Sequence, residues 1–156
     1  MNVKKFNLSL NKKINSFNKH IEIDSDKSIS IRSFLLSAIS QNISTINNVL
    51  ESEDVFASIN SLKRLGVKIK RIGEKKYLVF GKGLGSLKIN KNNQLNFGNS
   101  GTLARLLIGI LSTTPNINVN VSGDHSLNKR SMKKLINLMK NFGASFFPNN
   151  KFNFPI

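Results

Sequence analysis

The strongest constraint on the fold of this chain is an internal repeat with a period of about 75 residues, a pattern typical of quasi-symmetric assemblies. The stretch Lys63–Val67 aligns with Lys140–Ala144, and in each a helical apolar pattern stops at a glycine. The segment Arg32–Leu36 also resembles Arg105–Leu107. The repeat therefore predicts two similar units that pack together.

The first unit, residues 21–82, alternates short β-like runs with helical patterns. Apolar residues at helical spacing predict one helix at 28–41 and a second that begins after Ser52 and ends at Gly66. Ser52 is expected to cap the second helix, with two carboxylates in the first turn, where the helix dipole favours them. Strands are predicted at Ile21–Ile23, Ser44–Leu50, Val67–Arg71 and Tyr77–Phe80, the last two as a hairpin.

The second unit, residues 83–156, repeats this order. Helices are predicted at Gly101–Leu111 and Ser131–Phe142, the latter ending at Gly143. Strands are predicted at Gln94–Phe97, Ile117–Val121, Ala144–Phe147 and Phe152–Phe154. Together the two copies predict an α/β (α+β) fold built from βαβαββ units.

Residues 1–20 fit neither unit. Phe6–Leu10 alternates like a lone strand, and a strand without a partner in its own unit is expected to pair in another domain. The sequence also stops directly after the second unit. The simplest interpretation is the N-terminal part of a longer protein.

The net charge of +16 indicates either an anionic partner or a surface charge that serves only solubility. Nucleic acid is the first alternative, because basic domains often neutralise phosphates. The lysines, however, are spread along the whole chain. The chain also has no Trp and only one Tyr that could stack on bases. The distribution therefore argues against nucleic acid as the partner.

The chain has no cysteine, which excludes disulfides, thiolate nucleophiles and cysteine metal sites. His20 and His125 lie far apart in sequence, so we expect no metal site. The longest apolar stretch, Leu103–Leu111, contains Arg105 and is too short to span a bilayer. No signal-peptide pattern is present, and we predict a cytoplasmic protein without membrane association.

Three segments carry residues suited to bind anions, and each lies at the start of a predicted helix. In the first, Lys27 and Ser28 stand where free N–H groups and the helix dipole favour phosphate. Arg32 lies one turn further on the same side as Ser28, so the three side chains can converge on one oxyanion. A capped surface helix with incidental basic residues fits the spacing equally well.

The second segment runs from Gly98 to Arg105. Its two glycines flank Asn99-Ser100 and let the backbone approach a ligand closely, while Ser100 or Thr102 can cap the next helix. The segment lacks the lysine of a P-loop and the glycine spacing of a Rossmann motif. A tight strand-to-helix turn is the alternative interpretation.

The third segment, Gly123–Met132, places Lys129 and Arg130 just before the last helix. Two cations at the positive end of a helix are unfavourable, and a bound anion would relieve that cost. A solvated loop is the alternative, and His125 is interpreted as a surface histidine rather than a catalytic base.

The three segments resemble the first signature segments of the 5-enolpyruvylshikimate-3-phosphate synthases, in the same order and with similar spacing. The resemblance runs from about residue 21 to the end and includes Asn48–Val55. The matching residues are Lys27-Ser28-x-Ser30-x-Arg32, Gly98-Asn99-Ser100-Gly101-Thr102 with Arg105, and Gly123-Asp124-x-Ser126-Leu127-x-Lys129-Arg130.

The resemblance implies two domains of three βαβαββ units each, with the active site between them. Residues 1–20 would then belong with the second domain, and 21–82 and 83–156 would be two of the three units of the first. The third unit and the second domain, which supplies the carboxylate base, are expected to be absent from this chain.

The resemblance also implies roles for individual residues. Lys27 is expected to contact both substrates, and Ser28 and Arg32 to bind shikimate 3-phosphate. The residues expected to bind phosphoenolpyruvate are Lys27, Asn99, Gly101, Thr102, Arg105 and Arg130. The chain departs from the family pattern at Asp24-Ser25 (usually Pro-Gly), Ile31 (commonly His) and Ser131 (usually Pro). None of these removes a charged ligand-binding group, but the first is expected to change the loop geometry.

The implied activity is transfer of an enolpyruvyl group from phosphoenolpyruvate to shikimate 3-phosphate, without a metal or organic cofactor, in a family of usually monomeric enzymes. UDP-N-acetylglucosamine enolpyruvyl transferases share the fold, but they usually carry a reactive Cys before the last helix, and this chain has none. A basic nucleic-acid-binding domain and a folded remnant without activity are the remaining alternatives.

Overall fold

The computed structural model describes residues 9, 11, 23–89 and 93–156. The strand predicted at Phe6–Leu10 and most of the one predicted at Ile21–Ile23 fall outside these residues. Ile23 itself is exposed and belongs to an irregular segment.

The first half of the described chain contains α1 (Lys27–Ile39), β1 (Ile43–Ile46), α2 (Glu53–Arg64), β2 (Lys68–Gly73) and β3 (Lys76–Phe80). The second half contains β4 (Gln94–Asn96), α3 (Gly101–Ser112), β5 (Asn120–Ser122), α4 (His125–Lys129) and α5 (Lys133–Lys140). The predicted helices at 28–41, 53–65 and 101–111 are thus confirmed to within two residues.

The strands form two small sheets. In the first, β3 lies between β1 and β2 and pairs with both in antiparallel fashion, which confirms the predicted hairpin. In the second, β4 and β5 are parallel, with Leu95 opposite Val121, and α3 connects them. A parallel pair needs such a crossover, and here it places the start of α3 at the end of β4.

The core lies where α1 packs against α2 and α3. Ile31 and Phe34 of α1 are fully buried, and the Phe34 ring meets Tyr77 of β3 edge to face, with centroids 5.4 Å apart. Phe97 makes a similar contact with Phe154 at 5.9 Å. One continuous apolar core therefore joins both halves of the described chain.

Two helices of the repeat end with the same backbone motif. At the end of α2, the Gly66 N–H donates to the Lys63 carbonyl, and the Val67 N–H to the carbonyl five residues before it. After α5, Gly143 and the residue that follows it make the same pair of hydrogen bonds, again three and five residues back. The φ angles of the two glycines are +83° and +87°, so the aligned sequence segments have the same structure.

Replacing either terminal glycine with alanine is expected to lower the free energy of unfolding by about 1–2 kcal/mol, because a side chain disfavours the left-handed conformation. Gly109 is the matched control: it lies inside α3, its φ is not positive, and an added Cβ would meet no atom within 4 Å. Gly109→Ala is expected to raise the free energy of unfolding by about 0.5–1 kcal/mol. Denaturant unfolding of the three variants checks both signs, and a stabilising Gly66→Ala would contradict the assignment.

The start of α2 is only partly as predicted. Ser52 is the N-cap residue by position, but its side chain makes no capping hydrogen bond, and its Oγ is buried without a partner among the described residues. Glu53 and Asp54 occupy the first turn as expected. The helix start is therefore stabilised by these carboxylates and by packing rather than by the serine hydroxyl.

The prediction for the end of the second unit was wrong. Neither Ala144–Phe147 nor Phe152–Phe154 forms a strand, and β5 is shorter than the predicted Ile117–Val121 run. Each of the two wrongly predicted strands is followed closely by a proline, which has no N–H to give to a ladder. Instead, Ile156 exchanges two backbone hydrogen bonds with Val121, at 2.7 and 3.1 Å.

The helix α4 was not predicted, because a solvated loop was the structural alternative for this segment. The Asp124 Oδ1 accepts from the Leu127 N–H at 2.7 Å, so a short side-chain cap starts the turn, and Leu127 is buried. The predicted helix at 131–142 is shorter, beginning at Lys133. In the described ranges, no helix is long and apolar enough to cross a membrane.

Candidate functional site

The start of α3 is built from the Gly98–Thr102 turn. Gly98 has a φ of +56°, and its N–H donates to the Asn96 side chain at 2.8 Å. Ser100 is the N-cap, and its buried Oγ accepts from the Leu103 N–H at 3.2 Å. Of the two predicted capping residues, Ser100 is therefore the correct one, and the half-buried Thr102 lies on the first turn.

The loop before α4 lies directly against this turn. The Asp124 N–H donates to the Gly98 carbonyl at 2.8 Å. A Cβ built on Gly123 would lie 2.8 Å from that same carbonyl oxygen and 2.5 Å from Leu127 Cδ2, so only glycine permits the approach. Asn128 fixes the loop by bonding both the N–H and the carbonyl of Gly123. The structure thus brings the second and third candidate segments together.

Two guanidinium groups meet above Gly101. Arg130 Nη2 donates to Asn99 Oδ1 at 2.9 Å, and Arg105 Nη1 donates to the Gly101 carbonyl at 3.2 Å. A Cβ built on Gly101 would lie 2.9 Å from Arg105 Nη1 and 3.1 Å from Arg130 Nη1. Asn99, Gly101, Arg105 and Arg130 form what we call the Gly101 cluster.

The Gly101 cluster carries two positive charges that no carboxylate of the described residues pairs with. Neither Arg105 nor Arg130 belongs to any of the ion pairs between described residues. Both cations lie at the positive end of α3, an arrangement that is unfavourable by itself and favourable when an anion is bound. The cluster is therefore suited to bind a carboxylate or phosphate group.

The first candidate segment lies at the start of α1, as predicted, and the N-cap residue of this helix is Asp26. The Asp26 Oδ1 accepts from the Ile29 N–H at 2.6 Å. Lys27 is the first residue of the helix, Ser28 is half-buried, and Arg32 is exposed one turn later. In the described part of the chain, no hydrogen bond or ion pair connects these three residues to the Gly101 cluster.

Lys27 has a partner that the sequence interpretation missed. Its Nζ lies 2.8 Å from Asp54 Oδ2 in the first turn of α2. One turn later on the same helix, the Ala57 Cβ lies 3.8 Å from the position of a Cβ built on Gly98. The start of α2 therefore contacts both the Lys27 end of α1 and the turn that forms the Gly101 cluster.

Glu51 forms a second cluster that was not predicted. Its carboxylate accepts from the Tyr77 hydroxyl at 2.6 Å and from Arg71 Nη2 at 2.9 Å. Burial, followed by the hydrogen bond and charge of Glu51, raises the pKa of Tyr77 to about 12. The phenol stays protonated, so its role is to hold the Glu51 segment onto the hairpin. His125 is exposed, as expected for a surface histidine.

Two clefts lie near these elements. The larger, of about 600 Å³, lies at the C-terminal end of α3, and its lining contains no charged residue, so it does not suit an anion. The smaller, of about 350 Å³, adjoins Arg105 at the start of α5. The Gly101 cluster is therefore the candidate site because of its positive charge, and not because of the size of a cleft.

Comparison with known proteins places the chain in a family. The sequence profile of EPSP synthase (3-phosphoshikimate 1-carboxyvinyltransferase) matches residues 11–156. The 3-phosphoshikimate 1-carboxyvinyltransferase of Petrotoga mobilis is 38% identical over 132 residues, which cover 85% of this chain and 30% of that protein. The enzyme of the same name from Syntrophomonas wolfei is 36% identical over 148 residues, covering 92% and 34%.

Among solved structures, an EPSP synthase from Acinetobacter baumannii superposes with a TM-score of 0.78 at 32% identity. That match covers 86% of this chain and 30% of the solved chain. The chain thus spans about a third of the length of these relatives and shares their α/β enolpyruvyl transferase fold over that part. It belongs to the EPSP synthase family.

Proposed function

We propose that this chain supplies one wall of an enzyme site that transfers the enolpyruvyl group of phosphoenolpyruvate to the 5-hydroxyl of shikimate 3-phosphate, with release of phosphate. The proposal rests on the convergence of Arg105 and Arg130 on Gly101, where neither arginine forms an ion pair with a carboxylate of the described residues. A site of this kind binds anions, and both substrates are anions.

Each substrate is assigned to one group of residues. Ser28 and Arg32 bind shikimate 3-phosphate at the start of α1, and Lys27 contacts both substrates. Phosphoenolpyruvate is bound by the Gly101 cluster together with Thr102 and Lys27. The glycine lets both guanidinium groups lie close to the backbone of Gly101, where a side chain would collide with them.

The chemistry that this wall supplies is electrostatic. Addition of the hydroxyl to the enolpyruvyl group, and later loss of phosphate, move charge onto groups that the cations contact. Holding two anions side by side also removes the entropic cost of their encounter. Proton transfer requires a base, which the remaining two thirds of the family's length would provide in this proposal.

The two rival functions fit less well. UDP-N-acetylglucosamine enolpyruvyl transfer is disfavoured because the chain has no cysteine. Nucleic-acid binding would draw on the overall charge of +16, but the Gly101 cluster is a compact site rather than an extended basic surface. Small anionic metabolites of the cytoplasm are the better match.

An amide NMR titration at about 0.15 M salt, where the Debye length is about 8 Å, tests the proposal. Phosphoenolpyruvate is expected to shift the amides of 98–102 and Arg130, and shikimate 3-phosphate those of 27–32. UDP-N-acetylglucosamine and duplex DNA are the controls. Saturable binding of DNA at this salt concentration, with no response to either metabolite, would replace the proposal with the nucleic-acid alternative.

A further inference from the structure

We infer that Asp54 is a positioning residue for Lys27, an inference that rests on the proposed role of Lys27 in substrate binding. The Lys27 Nζ lies 2.8 Å from Asp54 Oδ2. The exposed fractions of the two side chains are 48% and 17%, so a largely shielded carboxylate faces a half-exposed ammonium group. Ion pairs at protein surfaces contribute little to folding stability, so stability does not explain this contact.

The position of Asp54 is fixed by contacts that do not involve Lys27. The Leu50 N–H donates to Ser30 Oγ of α1 at 3.0 Å, and the Val49 N–H to the Lys75 carbonyl at 3.0 Å. The Glu51 carboxylate also accepts hydrogen bonds from Arg71 and Tyr77 of the hairpin. The segment that leads into α2 is therefore attached both to α1 and to the first sheet.

This attachment gives Lys27 a defined geometry before any ligand binds. A lysine side chain is flexible, and its ammonium group has three donors. One donor is directed at Asp54, which leaves two for bound anions. The carboxylate thereby reduces the conformational entropy that Lys27 would otherwise lose on binding.

Glu53 provides a matched control because it lies in the same helical turn, has the same charge and is exposed. If the two carboxylates acted only through long-range charge, removing either would strengthen the binding of an anion. Positioning predicts opposite signs for the two variants. Asp54→Asn should weaken phosphoenolpyruvate binding about three- to tenfold, the range expected when a long side chain must be immobilised on binding. Glu53→Gln should strengthen it slightly.

The test measures phosphoenolpyruvate affinity of the 156-residue chain and of both variants, each also in a Lys27→Gln background. In that background, Asp54→Asn is expected to behave like Glu53→Gln, because no ammonium group is left to position. An equal loss of affinity with and without Lys27 would overturn the inference, as would stronger binding by Asp54→Asn.

A second measurement separates this inference from the proposed function. NMR relaxation of the Lys27 side chain, without ligand, is expected to show more motion in Asp54→Asn than in the parent or in Glu53→Gln. Equal motion in all three chains would overturn the inference even if phosphoenolpyruvate binds. Absence of phosphoenolpyruvate binding by the parent, with restricted motion of Lys27, would instead overturn the proposed function.

Discussion

The purified 156-residue chain is expected to release no phosphate from phosphoenolpyruvate and shikimate 3-phosphate above the uncatalysed rate. The chain spans about a third of its relatives' length, and the site residues described in it are mainly cations and amides. General acid–base catalysis needs a positioned proton acceptor. Asp54, the carboxylate that contacts Lys27, is already engaged in that ion pair.

Phosphate release is measured with both substrates present, and a full-length relative such as the Acinetobacter baumannii enzyme serves as the positive control. A cooperative unfolding transition of the same preparation shows that the chain is folded. Turnover by the folded chain alone would contradict the proposal that a base lies outside it.

Selective loss of substrate binding is expected from two arginine variants. Arg130→Ala should weaken phosphoenolpyruvate binding about 10- to 150-fold, because a charge-assisted hydrogen bond to a bound anion contributes about 1.5–3 kcal/mol. Arg32→Ala should weaken shikimate 3-phosphate binding by a similar factor and phosphoenolpyruvate binding much less. Both side chains are exposed, so the melting temperature should change little. Titration calorimetry of each variant with each substrate measures the four effects.

Lys63→Ala is the control for net charge, since Lys63 is exposed at the far end of α2 from Asp54. A loss of affinity for both substrates in the control, equal to that in the arginine variants, would show that binding depends on overall charge alone. The assignment of Arg32 and Arg130 to different substrates would then be wrong.

Local sequence patterns predicted most of the helices and the glycines that end two of them. Gly66 and Gly143 mark helix ends because only glycine readily adopts the left-handed conformation, a property of the residue itself. Gly101 and Arg130 were placed in one site through their resemblance to family segments, and the structure brings them together. Their roles in binding remain predictions.

The contacts that were missed connect residues distant in sequence. Lys27 meets Asp54, and Glu51 meets Tyr77, only because α1, α2 and the hairpin pack in one arrangement. The spacing of apolar residues within a single helix or strand does not predict such a contact. The two predicted closing strands did not form for a related reason. Apolar residues at 144–147 satisfy a local pattern, but a strand also needs a partner with free donors and acceptors.

The first turns of α2 contact both halves of the candidate site, through Asp54 toward α1 and through Ala57 toward Gly98. A helix moves as a nearly rigid body over one turn, so a larger side chain at Ala57 would displace the Gly98 turn and Asp54 together. We therefore expect substitutions in the two candidate segments to have non-additive effects, because both segments share one structural support. A change in one segment would then alter which substitutions the other segment tolerates.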